Sequence, residues 1–139
     1  MKELIELIKG DECRGAIRCA DGSVHKFTHR GVVDLFKLVV ESGVSLRGAV
    51  AADRVIGRGA ALLMIKGGVS RGHAFMMSKS ARQVLHAAGV DCSCDQEVEH
   101  IANRDGTDIC PVEKATVNTV DPDEAAEKIR HFLTVAGIL

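Results

Sequence analysis

The 139-residue chain contains no tryptophan and no tyrosine, and four phenylalanines are its whole aromatic complement. That removes most of the platforms on which proteins stack nucleic-acid bases, and a net charge of -1 supplies no basic footprint for phosphates. Nucleic acid is therefore not expected as a partner. Proline is limited to two residues, while hydrophobic residues make up 46% and charged residues 27%, an ordinary globular composition without a disordered tail. The longest strongly apolar run, Ala60 to Ile65, falls far short of the roughly 20 residues a membrane span needs. Glu3 and Glu6 interrupt the apolar N-terminal residues, so a secretory h-region is lacking. Five cysteines at 13, 19, 92, 94 and 110 form an odd set without CxxC spacing, which predicts reduced thiols in the cytoplasm and no disulfide framework. The histidines show neither HxH nor HExxH spacing, and no G-x-S-x-G elbow is present. These patterns call for no cofactor.

The length fits one domain, 1–139, with a sizeable core. Residues 2–9 carry Leu4, Ile5, Leu7 and Ile8 at helical spacing. Cys13–Ala20 and Ser23–Phe27 flank Asp21-Gly22, a hairpin signal; Cys13, Gly15, Ile17 and Cys19 then share one strand face and Arg14 and Arg18 the other. Thr28 is placed to cap a helix from His29 or Arg30 to Glu41. A strand is predicted over Val44–Ala52, another over Val69–Met77, a helix capped by Ser78 or Ser80, and a strand over Val90–Asp95. The polar run Asn103–Asp108 predicts an exposed loop, and Asp121-Pro122-Asp123-Glu124 predicts the capped start of a last helix.

At the centre stands Asp53–Gly68, read as a short buried helix with Asp53 as N-cap and the Gly67-Gly68 pair as its stop. Gly57 and Gly59 around Arg58 would leave amides bare beside a guanidinium, the makings of a phosphate or carboxylate pocket. Close helix-to-sheet packing explains the same glycines. Asn103, Arg104 and Asp105 offer donors and acceptors together, or simply a connecting turn. Cys110 sits before Pro111 with Glu113 at the third helical position, so a helix start would favour its thiolate, assisted by Lys114 or Arg104; the alternative is a structural thiol.

The strings Asp53-Arg54-Val55-Ile56-Gly57-Arg58, Ala60-Ala61-Leu62-Leu63-Met64, Asn103-Arg104-Asp105-Gly106-Thr107 and Cys110-Pro111-Val112-Glu113-Lys114 resemble the domain of unknown function 1893 family over most of the chain. The resemblance implies a cytidine deaminase-like fold: a three-layer α/β/α sandwich with a mixed sheet of about five strands. It names no activity, and because that fold is often seen assembled it admits a homo-oligomer. Zinc deaminases carry an H-x-E signature at one helix start and P-C-x-x-C at the next. The corresponding stretches here read Ile56-Gly57-Arg58-Gly59-Ala60 and Ser78-Lys79-Ser80-Ala81-Arg82, with no ligand for zinc and no general-base glutamate. The expected function is a non-zinc relative that binds a small anionic, nucleotide-like metabolite through Asp53, Gly57, Arg58, Gly59, Asn103, Arg104 and Asp105, with Cys110 as candidate nucleophile. A non-catalytic binding or regulatory module is the alternative. A zinc enzyme with rearranged ligands, drawing on Cys92, Cys94 and Cys110, is the third.

Overall fold

The computed structural model describes residues 1–139. A five-stranded mixed sheet lies in the order β2-β1-β3-β4-β5, built from β1 (Gly15–Arg18), β2 (Val24–Phe27), β3 (Val50–Ile56), β4 (Arg71–Ser78) and β5 (Asp91–Val98). β1 runs antiparallel to both β2 and β3, whereas β3, β4 and β5 are parallel. The β1–β2 hairpin turns at Asp21-Gly22, where Gly22 takes φ +91°, a conformation that costs glycine nothing.

Helices cover both faces unequally. α1 (Lys2–Lys9) lies alone on one face, where Leu4 and Ile8 pack with Cys13, Ala16 and Ala52 in a small core. The other face carries α2 (Val33–Phe36), which runs directly into a π-helical turn (Lys37–Glu41), then α3 (Arg58–Gly67), α4 (Lys79–Ala87), α5 (Pro111–Ala115) and α6 (Pro122–Val135). Their apolar sides form the main core with Ile17, Ala51 and Ala74 of the sheet. α3 is buried along nearly its whole length, as an all-round apolar helix must be. Gly68, at φ +90°, closes it by donating its N–H to the Met64 and Ile65 carbonyls. Ser78 caps α4 by accepting from Ala81 N–H at 3.1 Å, and Asp121 caps α6 by accepting from Glu124 N–H at 3.2 Å. No helix is long and apolar enough to cross a membrane.

Four expectations are corrected. The central stretch is a strand followed by a helix: Asp53 lies inside β3, and Gly57 is the N-cap of α3. Val55 and Ile56 are β-branched and pair with Met76 and Met77, so the extended chain outlasts the cap signal at Asp53. The preceding strand accordingly starts at Val50 and not Val44, since Ala49 N–H turns back to the Leu46 carbonyl at 2.9 Å. The helix expected from His29 begins at Val33, because the Asp34 carboxylate accepts the Thr28 and His29 N–H groups at 2.9 Å each and holds them in a turn. Cys13 precedes β1, where strand alternation has not begun, and sits in the small core, apart from Ile17 and Cys19.

Candidate functional site

Ligands of open α/β sheets bind beyond the carboxyl ends of the strands, where neighbouring connections diverge. Here α3 leaves the end of β3 toward β4, and β1, antiparallel, brings its start to the same edge. The space beside the entry to β1 and the end of β2 is a cavity of about 520 Å³, a size suited to a small metabolite. One side is apolar, with Phe27, Val33, Leu35, Phe132 and Leu133. The rest is polar, with Arg14, His29, Arg30, Asp53, Asn103 and Arg104. Cys110 and the glycines Gly57 and Gly59 complete the wall.

The structure therefore brings together Asp53, Gly57, Gly59, Asn103, Arg104, Asp105 and Cys110 from three separate stretches of sequence. It does not include Arg58. That side chain, 8% exposed, donates from Nε (2.9 Å) and Nη2 (2.5 Å) to the Thr119 carbonyl and from Nη1 to Ser80 Oγ at 2.8 Å. Its donors strap the segment before α6 to the starts of α3 and α4, so Arg58 is structural and not a ligand residue. The expected anion position at the start of α3 is also occupied, by the protein's own Glu113. This residue, 5% exposed, accepts the Arg58 N–H at 3.1 Å and the Ile101 N–H in a short bond. A carboxyl group at the positive end of a helix is the favourable arrangement, but it leaves at most the Gly57, Gly59 and Ala60 amides for a ligand. Gly59 serves packing as well: a Cβ there would lie 2.4 Å from Val112 Cγ1, so α5 seats directly on the glycine.

Asp53 is the group most altered by its surroundings. A Cβ at Gly15, its partner across the β1–β3 ladder, would lie 2.9 Å from both Asp53 Cγ and Oδ2, so the carboxyl rests against bare backbone. Although the residue retains some accessibility through the cavity, protein crowds the carboxyl itself, and this burial pushes its pKa up to about 7 against the opposing pull of the Val55 and Arg54 amides, Arg14 and Arg54. Arg54 is engaged elsewhere, donating to the Ile8 carbonyl at 2.9 Å and pairing with Asp11.

Asn103, Arg104 and Asp105 form a self-bonded turn. Asn103 Oδ1 accepts from Thr107 N–H at 3.0 Å, and Asp105 Oδ1 accepts from Thr107 N–H at 3.1 Å and from its hydroxyl at 2.6 Å. Arg104 alone among the three projects no hydrogen bond or ion pair into the protein. Cys110 is the N-cap residue of α5 and half-buried. Lys114, expected near its sulfur, pairs with Asp108.

Histidine 29 was not singled out by the sequence, yet it lines the cavity with Nδ1 2.8 Å from Asp34 Oδ1. Burial opposes ionisation of Asp34, but the His29 amide and ring and the Thr28 amide outweigh it and hold the carboxyl below its usual range. His29 is thus oriented by a carboxylate, with Nε2 left free. Arg14 and Arg30 were also not marked as site residues, since nothing local announces that the flanks of a hairpin will meet a loop more than 70 residues on at Asn103 and Arg104.

Metal binding finds no site: nowhere do three His, Cys, Asp or Glu side chains converge as a ligand set. The zinc arrangement through Cys92, Cys94 and Cys110 is not formed: Cys92 and Cys94 lie on β5 and Cys110 at the start of α5, and the three do not converge. Burial pushes the Cys92 thiol, like that of Cys13, above its ordinary pKa, which favours the protonated form.

A solved structure of a DUF1893 family protein from Thermotoga maritima is similar to the chain with a TM-score of 0.84 at 21% identity, covering 94% of this chain and 87% of that one. At that identity the likeness establishes the fold. No curated protein matches the chain. The family model described as domain of unknown function (DUF1893) matches residues 6–133, and the chain belongs to that family.

Proposed function

We propose that the cavity binds a small anionic metabolite with an apolar or planar body, nucleotide-like in that combination, on a deaminase-like scaffold that has no zinc-ligand set. The observation that carries this reading is the state of the cavity's cations. Of its four arginines only Arg54 has an acidic partner; Arg14, Arg30 and Arg104 have none, although they lie at one cavity. None of the cavity's carboxyls pairs with them: Glu113 and Asp105 spend their oxygens on backbone amides, and Asp53 holds its proton up to about pH 7. Unpaired guanidiniums around a concave, half-apolar space are suited to phosphate or carboxylate oxygens. The test is mass spectrometry of small molecules released on denaturing the purified protein. An anionic compound recovered from the wild type and lost from an Arg30→Ala, Arg104→Ala double variant supports the reading; equal recovery from both overturns it.

A second reading, that the protein acts on its ligand, is favoured by one arrangement: Cys110 and His29, the latter held by Asp34, line the same cavity. An oriented imidazole with a free Nε2 can take the proton of a thiol. Iodoacetamide alkylation of Cys110 measured against pH decides it. A rate that titrates below a free thiol and returns to ordinary values in His29→Gln supports catalysis, and an unchanged rate leaves the binding module.

A further inference from the structure

We infer that Asp53 recognises a cationic or N–H-donating nitrogen on the ligand, so that the molecule taken up is amphoteric, with an anionic group for the arginines and an amidine- or amine-like group for the floor of the cavity. The anionic half rests on the binding reading above; the nitrogen does not.

The argument begins with how the carboxyl is held. It lies in the ladder position opposite Gly15, where any Cβ would stand 2.9 Å from Cγ and Oδ2 and 3.2 Å from the Ala52 carbonyl. The glycine gives the carboxyl its place. In return the protein bonds it hardly at all: the Val55 N–H reaches Oδ1 at 3.5 Å, and Oδ2 receives no hydrogen bond. A crowded acid with one oxygen left to the cavity has an acceptor free for a ligand, and such groups concentrate at functional sites. Glu113, by contrast, has both oxygens bonded.

The chemistry of the completing group follows from the acceptor. An ionised carboxyl has two oxygens that only accept, matched by the paired N–H groups of an amidine or guanidine, or by an ammonium. The charged neighbours are Arg14 at the entry to β1 and Arg54 on β3, and the protonated thiol of Cys13 is a neutral one. Across the cavity stand His29, Arg30 and Arg104, with Cys110 on the wall, while Asp105 and Glu113 are already bonded. His29 lines the same cavity, so the experiment separates it from Asp53.

Benzamidine, cationic throughout the range, and benzoate serve as probes, titrated into the isotopically labelled full chain at pH values from about 5.5 to 8.5. Benzamidine is expected to shift the Gly15, Asp53 and Val55 amides. Its affinity should fall about tenfold per pH unit below pH 7 and level off above, because it competes with the proton held there. Asp53→Asn should weaken it at least about tenfold at pH 8 and flatten the profile, whereas His29→Gln should leave the profile unchanged. Benzamidine that fails to bind, binds Asp53→Asn equally, or binds the wild type without pH dependence overturns the inference, the last even if the variant cannot be made. Benzoate reports separately on the arginines: its failure alone sinks the anion reading and leaves the Asp53 result standing.

Discussion

Two polar clusters flank the start of α3, built from the same residue types and treated by the fold in opposite ways. On one side Arg58 and Glu113, both nearly sealed from solvent, bond to Thr119, Ser80, Ile101 and the first amide of the helix. On the other, Asp53 and the arginines at 14, 30 and 104 reach the cavity with scarcely a bond among them. The first cluster ties three connections to the central helix; the second leaves its charges without partners in the chain. What separates the two clusters is the number of partners each group has, and with it burial, not the sign of the charges.

The largest effect expected from breaking the contrast is at Asp53. In the unfolded chain it loses its proton near the ordinary 3.8, in the folded chain near about 7. Below the lower value both states hold the proton and there is no penalty. Between the two, unfolding releases a proton, so stability falls as pH rises, and above about 7 the penalty is complete. At about 1.4 kcal/mol per pKa unit it amounts to at most roughly 4 kcal/mol, less to the extent that solvent in the cavity reaches the carboxyl. Asp53→Asn should therefore be more stable than the wild type at pH 8 by a few kcal/mol, with the difference gone near pH 4. Denaturant melts at both pH values check it, and equal stabilities at pH 8 would remove Asp53 from the open cluster.

The closed cluster predicts the reverse sign. Arg58→Ala leaves the Thr119 carbonyl without its buried donors, and with about 1.5 to 3 kcal/mol for a hydrogen bond to a charged group the loss should be about 3 kcal/mol. That is a drop of about 10 °C in Tm for a domain of this size, read by calorimetry. Glu113→Gln should be milder, about 2 kcal/mol, since one of two acceptors facing the Arg58 and Ile101 amides becomes a donor. The same acid-to-amide change is thus stabilising at 53 and destabilising at 113. A stabilised Glu113→Gln would mean that these two acids do not differ as described.

How much of this could be read from the sequence depends on range. The helix stops, the caps at Ser78 and Asp121 and the hairpin at Asp21-Gly22 are written within a few residues and were legible. So were the strings around Gly57, Asn103 and Cys110, which do meet at one cavity. The sense of the central helix start was not. An N-terminus with bare amides and a cation reads as an anion site until Glu113, 55 residues away, is seen to fill it. Position 53 looked like a cap because aspartate before an apolar run usually is one, and only the pairing of Val55 and Ile56 with β4 shows the chain still extended. His29, Arg14 and Arg30 carried no signal, because their meaning lies in what the topology sets opposite them.

The smallest change in stability is expected where the largest change in binding is. Arg30 and Arg104 are exposed, make no ion pair and support no packed element. Replacing either by alanine removes a side chain whose folded and unfolded surroundings are both largely water, so each melt should stay within about 0.5 kcal/mol of the wild type. Binding is another matter, because a charge-assisted bond to an anionic group contributes roughly 1.5 to 3 kcal/mol, or about tenfold and upward in affinity. Benzoate titrated into Arg30→Ala and Arg104→Ala should thus bind at least about tenfold more weakly at unchanged Tm. Raising salt should shrink the wild type's advantage, since exposed charges are screened over about 10 Å at 0.1 M. If the variants melt early while benzoate binds as before, these arginines belong with Arg58 as structural groups, and the distinction between bonded and waiting charge fails at the point where it was drawn most sharply.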